Sequence, residues 1–130
     1  MSRDLFEAAR AAMARAHAPY SGFQVGAAIR AGDGRIFCGC NVEVASYPEG
    51  WCAETTALGH YVMAGGGEIR EIALVAARMA RVTPCGGCLQ RLAEFAAPET
   101  PVYLCDETGV VETVTMGDML PRGFRFDVLK

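Results

Sequence analysis

Near the start of the chain, apolar residues recur at helical spacing: Leu5, Ala8, Ala9, Ala12, Met13 and Ala16, with charges between them. That period predicts an amphipathic helix over 4–16, broken by Pro19-Tyr20-Ser21-Gly22. Phe23–Ile29 and Arg35–Val42 then read as strands, with Gly32-Asp33-Gly34 as a hairpin turn signal between them. Ser46–Gly50, which contains Pro48, reads as a loop. A helix is expected from Cys52 to about Ala64, where Gly65-Gly66-Gly67 ends it. Ile72–Ala77 is a short apolar strand, and Pro84 opens a helix over roughly Cys85–Ala96. Val102–Cys105 and Val110–Val114 flank Asp106-Glu107-Thr108-Gly109 and read as an antiparallel pair, followed by a helical turn over Met116–Leu120.

The order α-β-β-α-β-α-β-β predicts an α/β fold, a three-layer α/β/α arrangement around a mixed five-stranded sheet. A length of 130 residues fits one domain over 1–130 and is enough to bury a core without disulfides. Hydrophobic residues make up 52%, yet no apolar run approaches a membrane span. The first residues enter a helical pattern and not a signal peptide, so the expected compartment is the cytoplasm.

Net charge is −3, Lys130 is the sole lysine, and no run of Lys or Arg makes a basic stripe. A nucleic-acid binder normally shows one, so the balance favours a small-molecule substrate, with neither nucleic acid nor membrane as partner. Six cysteines in such a chain point to metal ligands or buried side chains and not to disulfides. Cys38, Cys40 and Cys105 lack ligand spacing and read as small buried hydrophobes.

Cys52-Ala53-Glu54 and Pro84-Cys85-Gly86-Gly87-Cys88 carry the chemistry. Three thiolates fill three corners of a zinc tetrahedron and leave the fourth for water, while a nearby carboxylate handles protons. Cys85 and Cys88 lie about 60° apart around a helix axis, so both sulfurs reach one ion. Helix N-termini favour thiolates, and both motifs fall at expected helix starts. On a regular helix Cys52 and Glu54 would be about 200° apart and would not share an ion. A non-helical Cys52 cap leaves Glu54 beside the metal, where a proton shuttle belongs. A structural zinc module and a redox dithiol are the competing readings. His17 and His60 are the possible fourth ligands, and neither has ligand-like placement.

Several motifs in order resemble the small zinc-dependent cytidine deaminases of nucleoside salvage. They are Ala18-Pro19-Tyr20-Ser21-Gly22-Phe23-Gln24-Val25-Gly26-Ala27-Ala28, Gly39-Cys40-Asn41-Val42-Glu43, the two cysteine motifs with Leu89-Gln90, and Leu120-Pro121-Arg122-Gly123-Phe124. The resemblance implies one Zn²⁺ per subunit on Cys52, Cys85 and Cys88, with Glu54 as general acid and base. It also implies ribose contacts from Asn41 and Glu43, nucleoside packing on Phe23, and orientation of the amino group by the Ala53 carbonyl. A homotetramer is implied, with Tyr47 and Phe124 near a wall shared between subunits. Taken alone, Asn41 reads as a turn residue, Glu43 as a solvated charge and Phe23 as core. Asn41 and Glu43 are two apart, however, and would share one face of a strand, offering donors and acceptors suited to a diol. The implied substrates are cytidine and 2′-deoxycytidine. Another cytosine-type nucleoside such as blasticidin S is the alternative.

The chain departs from that family at three places. Thr55 and Leu89 stand where arginines are common, and Val44 where Asn is common. Three thiolates on Zn²⁺ leave a net negative charge, so helix dipoles, Thr55 or another Arg must offset it. Arg91 is near in sequence but reads as an exposed helix residue. Trp51 reads as packing or pocket lining.

Overall fold

The computed structural model describes residues 3–125. Its elements, in chain order, are α1 (Arg3–Met13), β1 (Val25–Ala31), β2 (Ile36–Cys40), a 3₁₀ turn (Tyr47–Glu49), α2 (Ala53–Met63), β3 (Ile69–Ala76), α3 (Gly86–Ala93), β4 (Pro101–Asp106), β5 (Gly109–Thr115) and α4 (Met116–Met119). The strands form one sheet in the order β2-β1-β3-β4-β5. β1 pairs antiparallel with β2 and β3, β3 runs parallel to β4, and β4 pairs antiparallel with β5. The expected mixed five-stranded sheet between helical layers is therefore present.

Alternation along the strands builds two cores. Ala27, Ile29, Ile72, Leu74, Val102 and Leu104 face α2 and α3, where they meet Ala57, Leu58, Tyr61, Leu89 and Leu92. Their neighbours Ala28, Ala73, Val75, Tyr103 and Cys105 face α1, against Leu5, Phe6, Ala9 and Met13. Period two in the strands and 3.6 in the helices are thus satisfied together. Truncating a fully buried residue such as Leu92 to Ala would cost about 2–5 kcal/mol.

Two glycines set how closely the helices approach. A Cβ at Gly26 would lie 2.0 Å from the Ala9 carbonyl oxygen, so α1 rests on β1 backbone. A Cβ at Gly39 would lie 2.4 Å from Ala57 N and 2.7 Å from Ala53 O, so α2 rests on β2 in the same way. That second contact fixes the first turn of α2, from which the site is built.

The sheet edges differ from expectation in physically plain ways. β1 starts at Val25 and not Phe23, because Asn41 Oδ1 accepts from Val25 N at 2.9 Å and Asn41 Nδ2 donates to Phe23 O at 2.9 Å. α1 stops at Met13, after which His17 joins the extended 41–43 segment through His17 N to Asn41 O and Glu43 N to His17 O. Only Cys105 of the three spare cysteines is fully buried. Cys38 and Cys40 are half-buried because β2 is an edge strand. No helix of the described residues is long and apolar enough to cross a membrane.

Candidate metal centre

α2 and α3 both begin at the same end of the sheet, beside the carboxyl end of β3, where parallel strands and helix starts make room for ligands. Cys52 is the N-cap of α2, extended at φ −80°, ψ 163°, and Cys85 is the N-cap of α3 at φ −69°, ψ 168°. Neither cap side chain accepts a hydrogen bond from its helix, so both sulfurs can turn toward each other. Cys88 lies in the first turn of α3 and is fully buried.

The three sulfurs lie within 4.8 Å of one another, with Cys52 Sγ 3.9 Å from Cys85 Sγ. Zn–S bonds of about 2.3 Å at tetrahedral angles require S···S of roughly 3.8 Å. The donor set therefore fits zinc as it stands. Among the described residues this is the only group of His, Cys, Asp or Glu gathered tightly enough for a metal, and neither His17 nor His60 belongs to it. His60 Nδ1 instead meets Cys38 O at 3.1 Å.

Glu54, second residue of α2, is 6% exposed and faces the same cavity. Burial pushes its carboxyl above the ordinary range. The cap geometry of Cys52 resolves the spacing problem, placing the carboxylate next to the sulfurs but outside their cluster.

Cys52 and Cys85 line a cavity of about 560 Å³, with the buried Cys88 behind them. Phe23, Asn41, Glu43, Tyr47, Trp51 and Ala53 line it, so six of the residues singled out from sequence converge there with Cys52, Glu54 and Cys85. Asn41 spends one donor and one acceptor on the start of β1 and keeps one of each. Glu43 Oε1 accepts from Tyr20 N at 3.0 Å and Ser21 N at 3.1 Å, and Oε2 accepts from Ser21 Oγ. The Ser21 hydroxyl and amide, then the Tyr20 amide, hold the Glu43 carboxyl below its usual value. Tyr47 packs edge-on against Tyr20, ring centres 5.4 Å apart. Phe124 does not line the cavity. It stands 71% exposed, its backbone held at both N and O by the Gln90 amide.

Some functional neighbours were not evident in the sequence. Ser21 is one, though its place in the Pro19–Gly22 turn was a signal for side-chain-to-backbone bonding. Trp51 is both rim and packing. It lines the cavity, and its Nε1 donates to Thr56 Oγ1 at 2.7 Å, which donates on to Cys40 O. Arg91, read as an exposed helix residue, reaches Cys88 Sγ through Nη1 at 3.8 Å, and Thr55 Oγ1 lies 3.7 Å from the same sulfur.

The family profile described as "Cytidine and deoxycytidylate deaminase zinc-binding region" matches residues 1–104. A cytidine deaminase of Sporosarcina psychrophila is 41% identical over 120 residues, 92% of this chain and 88% of that protein. Among solved structures, a Burkholderia pseudomallei cytidine deaminase superposes with TM-score 0.89 at 44% identity, covering 95% of this chain and 99% of that one. The Mycobacterium tuberculosis cytidine deaminase superposes at 0.84 with 36% identity, over 95% of this chain and 96% of that one. The sulfur cluster, the buried glutamate, the sheet order and these likenesses agree, and the chain belongs to the zinc-binding cytidine and deoxycytidylate deaminase family of hydrolases.

Proposed function

We propose that this protein hydrolyses cytidine and 2′-deoxycytidine to uridine and 2′-deoxyuridine with release of ammonia, and serves pyrimidine salvage in the cytoplasm. The observation that carries the reading is a buried carboxylate and three convergent sulfurs at a cavity that Asn41 and Glu43 also line. A volume near 560 Å³ falls within the roughly 300–1,000 Å³ range of small-molecule sites.

Cys52, Cys85 and Cys88 would hold one Zn²⁺ per subunit. Zinc in such a set supplies a water acidic enough to act as nucleophile near neutral pH. Glu54 accepts a proton from the attacking water and delivers it to ring N3 as C4 is attacked. It then carries a second proton to the departing amine, base first and acid second. A carboxyl raised by burial suits both roles, because its two protonation states lie closer in energy at neutral pH. The Ala53 carbonyl orients the amino group. Phe23 packs on the nucleoside, and the unspent donor and acceptor of Asn41, with Glu43, receive the sugar hydroxyls.

A homotetramer with a shared wall at Tyr47 and Phe124 accounts for aromatic side chains left 70% and 71% exposed. The two cores share one continuous sheet, which supports a single domain over 1–130.

The test is purified protein, its zinc content, and loss of cytidine absorbance. The panel is cytidine, deoxycytidine, cytosine, blasticidin S and adenosine. Turnover of the first two with one zinc per chain is expected. Zinc without turnover of any of the five would leave a structural zinc module as the answer, and turnover of blasticidin S alone would reassign the substrate.

A further inference from the structure

Zn²⁺ with three thiolates carries net negative charge, and the sulfurs do not share that burden equally. Cys85 is exposed and Cys52 half-buried, so water solvates both. Cys88 is fully buried, and negative charge on its sulfur needs donors from the protein itself. Two converge on it. Thr55 Oγ1 lies 3.7 Å away, and Arg91 Nη1 donates from 3.8 Å.

The route by which Arg91 arrives is built into α3. It stands three residues after Cys88, on the same face of the helix, and its side chain leans back toward the helix start as long helical side chains do. There it passes over Gly87, where a Cβ would sit only 3.2 Å from Arg91 Nη1. Leu89, by contrast, is buried in the core and has no line to the sulfurs. Arg91 is an exposed residue, and among the described residues it forms no ion pair with a carboxylate that would draw its charge away from the sulfur.

We infer that Arg91, folded back over Gly87 onto the buried Cys88 sulfur, is the cation that holds the three-thiolate set in its zinc-binding form, a positioning residue that acts through the ligand. The inference rests on reading Cys52, Cys85 and Cys88 as a zinc site. It assigns to the last turn of α3 the charge that Thr55 and Leu89 cannot supply.

The experiment follows zinc transfer from the loaded protein to a chromophoric chelator, and the sulfur-to-metal charge-transfer band of the cobalt-substituted protein. Arg91→Met keeps the apolar stem and removes the charge. It should release zinc about 10–100-fold faster, the usual cost of losing a partner of a metal ligand, and shift the cobalt band. Arg91→Lys should fall between Met and wild type. Thr55→Arg, added to Arg91→Met, should slow release again, because position 55 approaches the same sulfur. Zinc loss from Arg91→Met at the wild-type rate would overturn the inference. So would equally fast loss from the Met and Lys variants with no recovery from Thr55→Arg, which would mark a packing role. A wild-type chain that binds no zinc would instead sink the metal reading on which the inference rests.

Discussion

The cavity draws on two regions of the chain, and they are held by different means. One is a sulfur end built from the starts of α2 and α3, the other a loop end built from residues 20–23 and 41–43. At the sulfur end, two helix N-caps and a first turn place Cys52, Cys85 and Cys88, and α2 and α3 are locked to the sheet by a shared core. At the loop end, Phe23, Asn41 and Glu43 lie outside the regular strands, tied by side-chain-to-backbone hydrogen bonds near the surface. Of the three cysteines and Glu54 at the first end, only Cys88 and Glu54 are buried, which makes a charge on either expensive and its position rigid. At the second, Phe23, Asn41 and Glu43 are half-buried and sit in loop segments that adapt at little cost. In the proposed reaction, chemistry is thereby fixed by the scaffold, and recognition is left to segments that can vary without moving the reacting groups.

The sharpest way to break this contrast is at Glu54. Glu54→Gln keeps shape and burial but not the proton shuttle, so kcat should fall by about 10²–10⁴-fold with zinc content unchanged. Metal analysis beside steady-state kinetics checks it, and an active variant removes Glu54 from the mechanism. Metal withdrawal comes next. A ligand present at a thousand times its Kd stabilises by about 4 kcal/mol, so chelation should lower Tm by roughly 10 °C or more, read by calorimetry. No shift would mean that the native sulfur cluster binds no ion more tightly than the unfolded chain does.

At the loop end the effects should be smaller and should divide between stability and binding. Asn41→Ala loses two hydrogen bonds to backbone, worth about 1–3 kcal/mol together, and should raise KM more than it lowers kcat. Urea midpoints and saturation kinetics on one preparation separate the two. Glu43 gives the smallest effect, and its pH dependence appears only in acid. Its folded-state pKa is lowered from 4.5, so its contribution is present above that value and is lost as pH falls through the lowered one. Wild type should therefore lose its advantage over Glu43→Gln below about pH 4.5. Asp4, Asp33 and Asp106 are lowered too, but they are common to both proteins and cancel in the difference. A constant difference across that range would show that the carboxylate does not order the 20–23 loop.

The same contrast explains what could be read in advance. The strands and helices of the sulfur end were legible because burial enforces periodicity, and the three cysteines because ligand spacing is a local property. Where the chain is shaped by single side chains, pattern was silent. Nothing in the apolar period says that Asn41 will take the Phe23 carbonyl and delay β1, or that Ile69-Arg70-Glu71 extends β3 despite its charges. Arg91 was hidden for a related reason. Its position suggested exposure, and it is exposed, but only the backward lean of the side chain over Gly87 reveals its partner.

Gly39 has a consequence for inheritance as well as for packing. It sits on an edge strand and does not line the 560 Å³ cavity, yet the first turn of α2 rests on its bare backbone. Any side chain there displaces Ala53, and with it the flanking Cys52 and Glu54. In a saturation screen for growth on a pyrimidine nucleoside, Gly39 would score among the most intolerant positions, alongside residues that perform the chemistry. Intolerance at such a position records the seat of the machinery and not its moving parts.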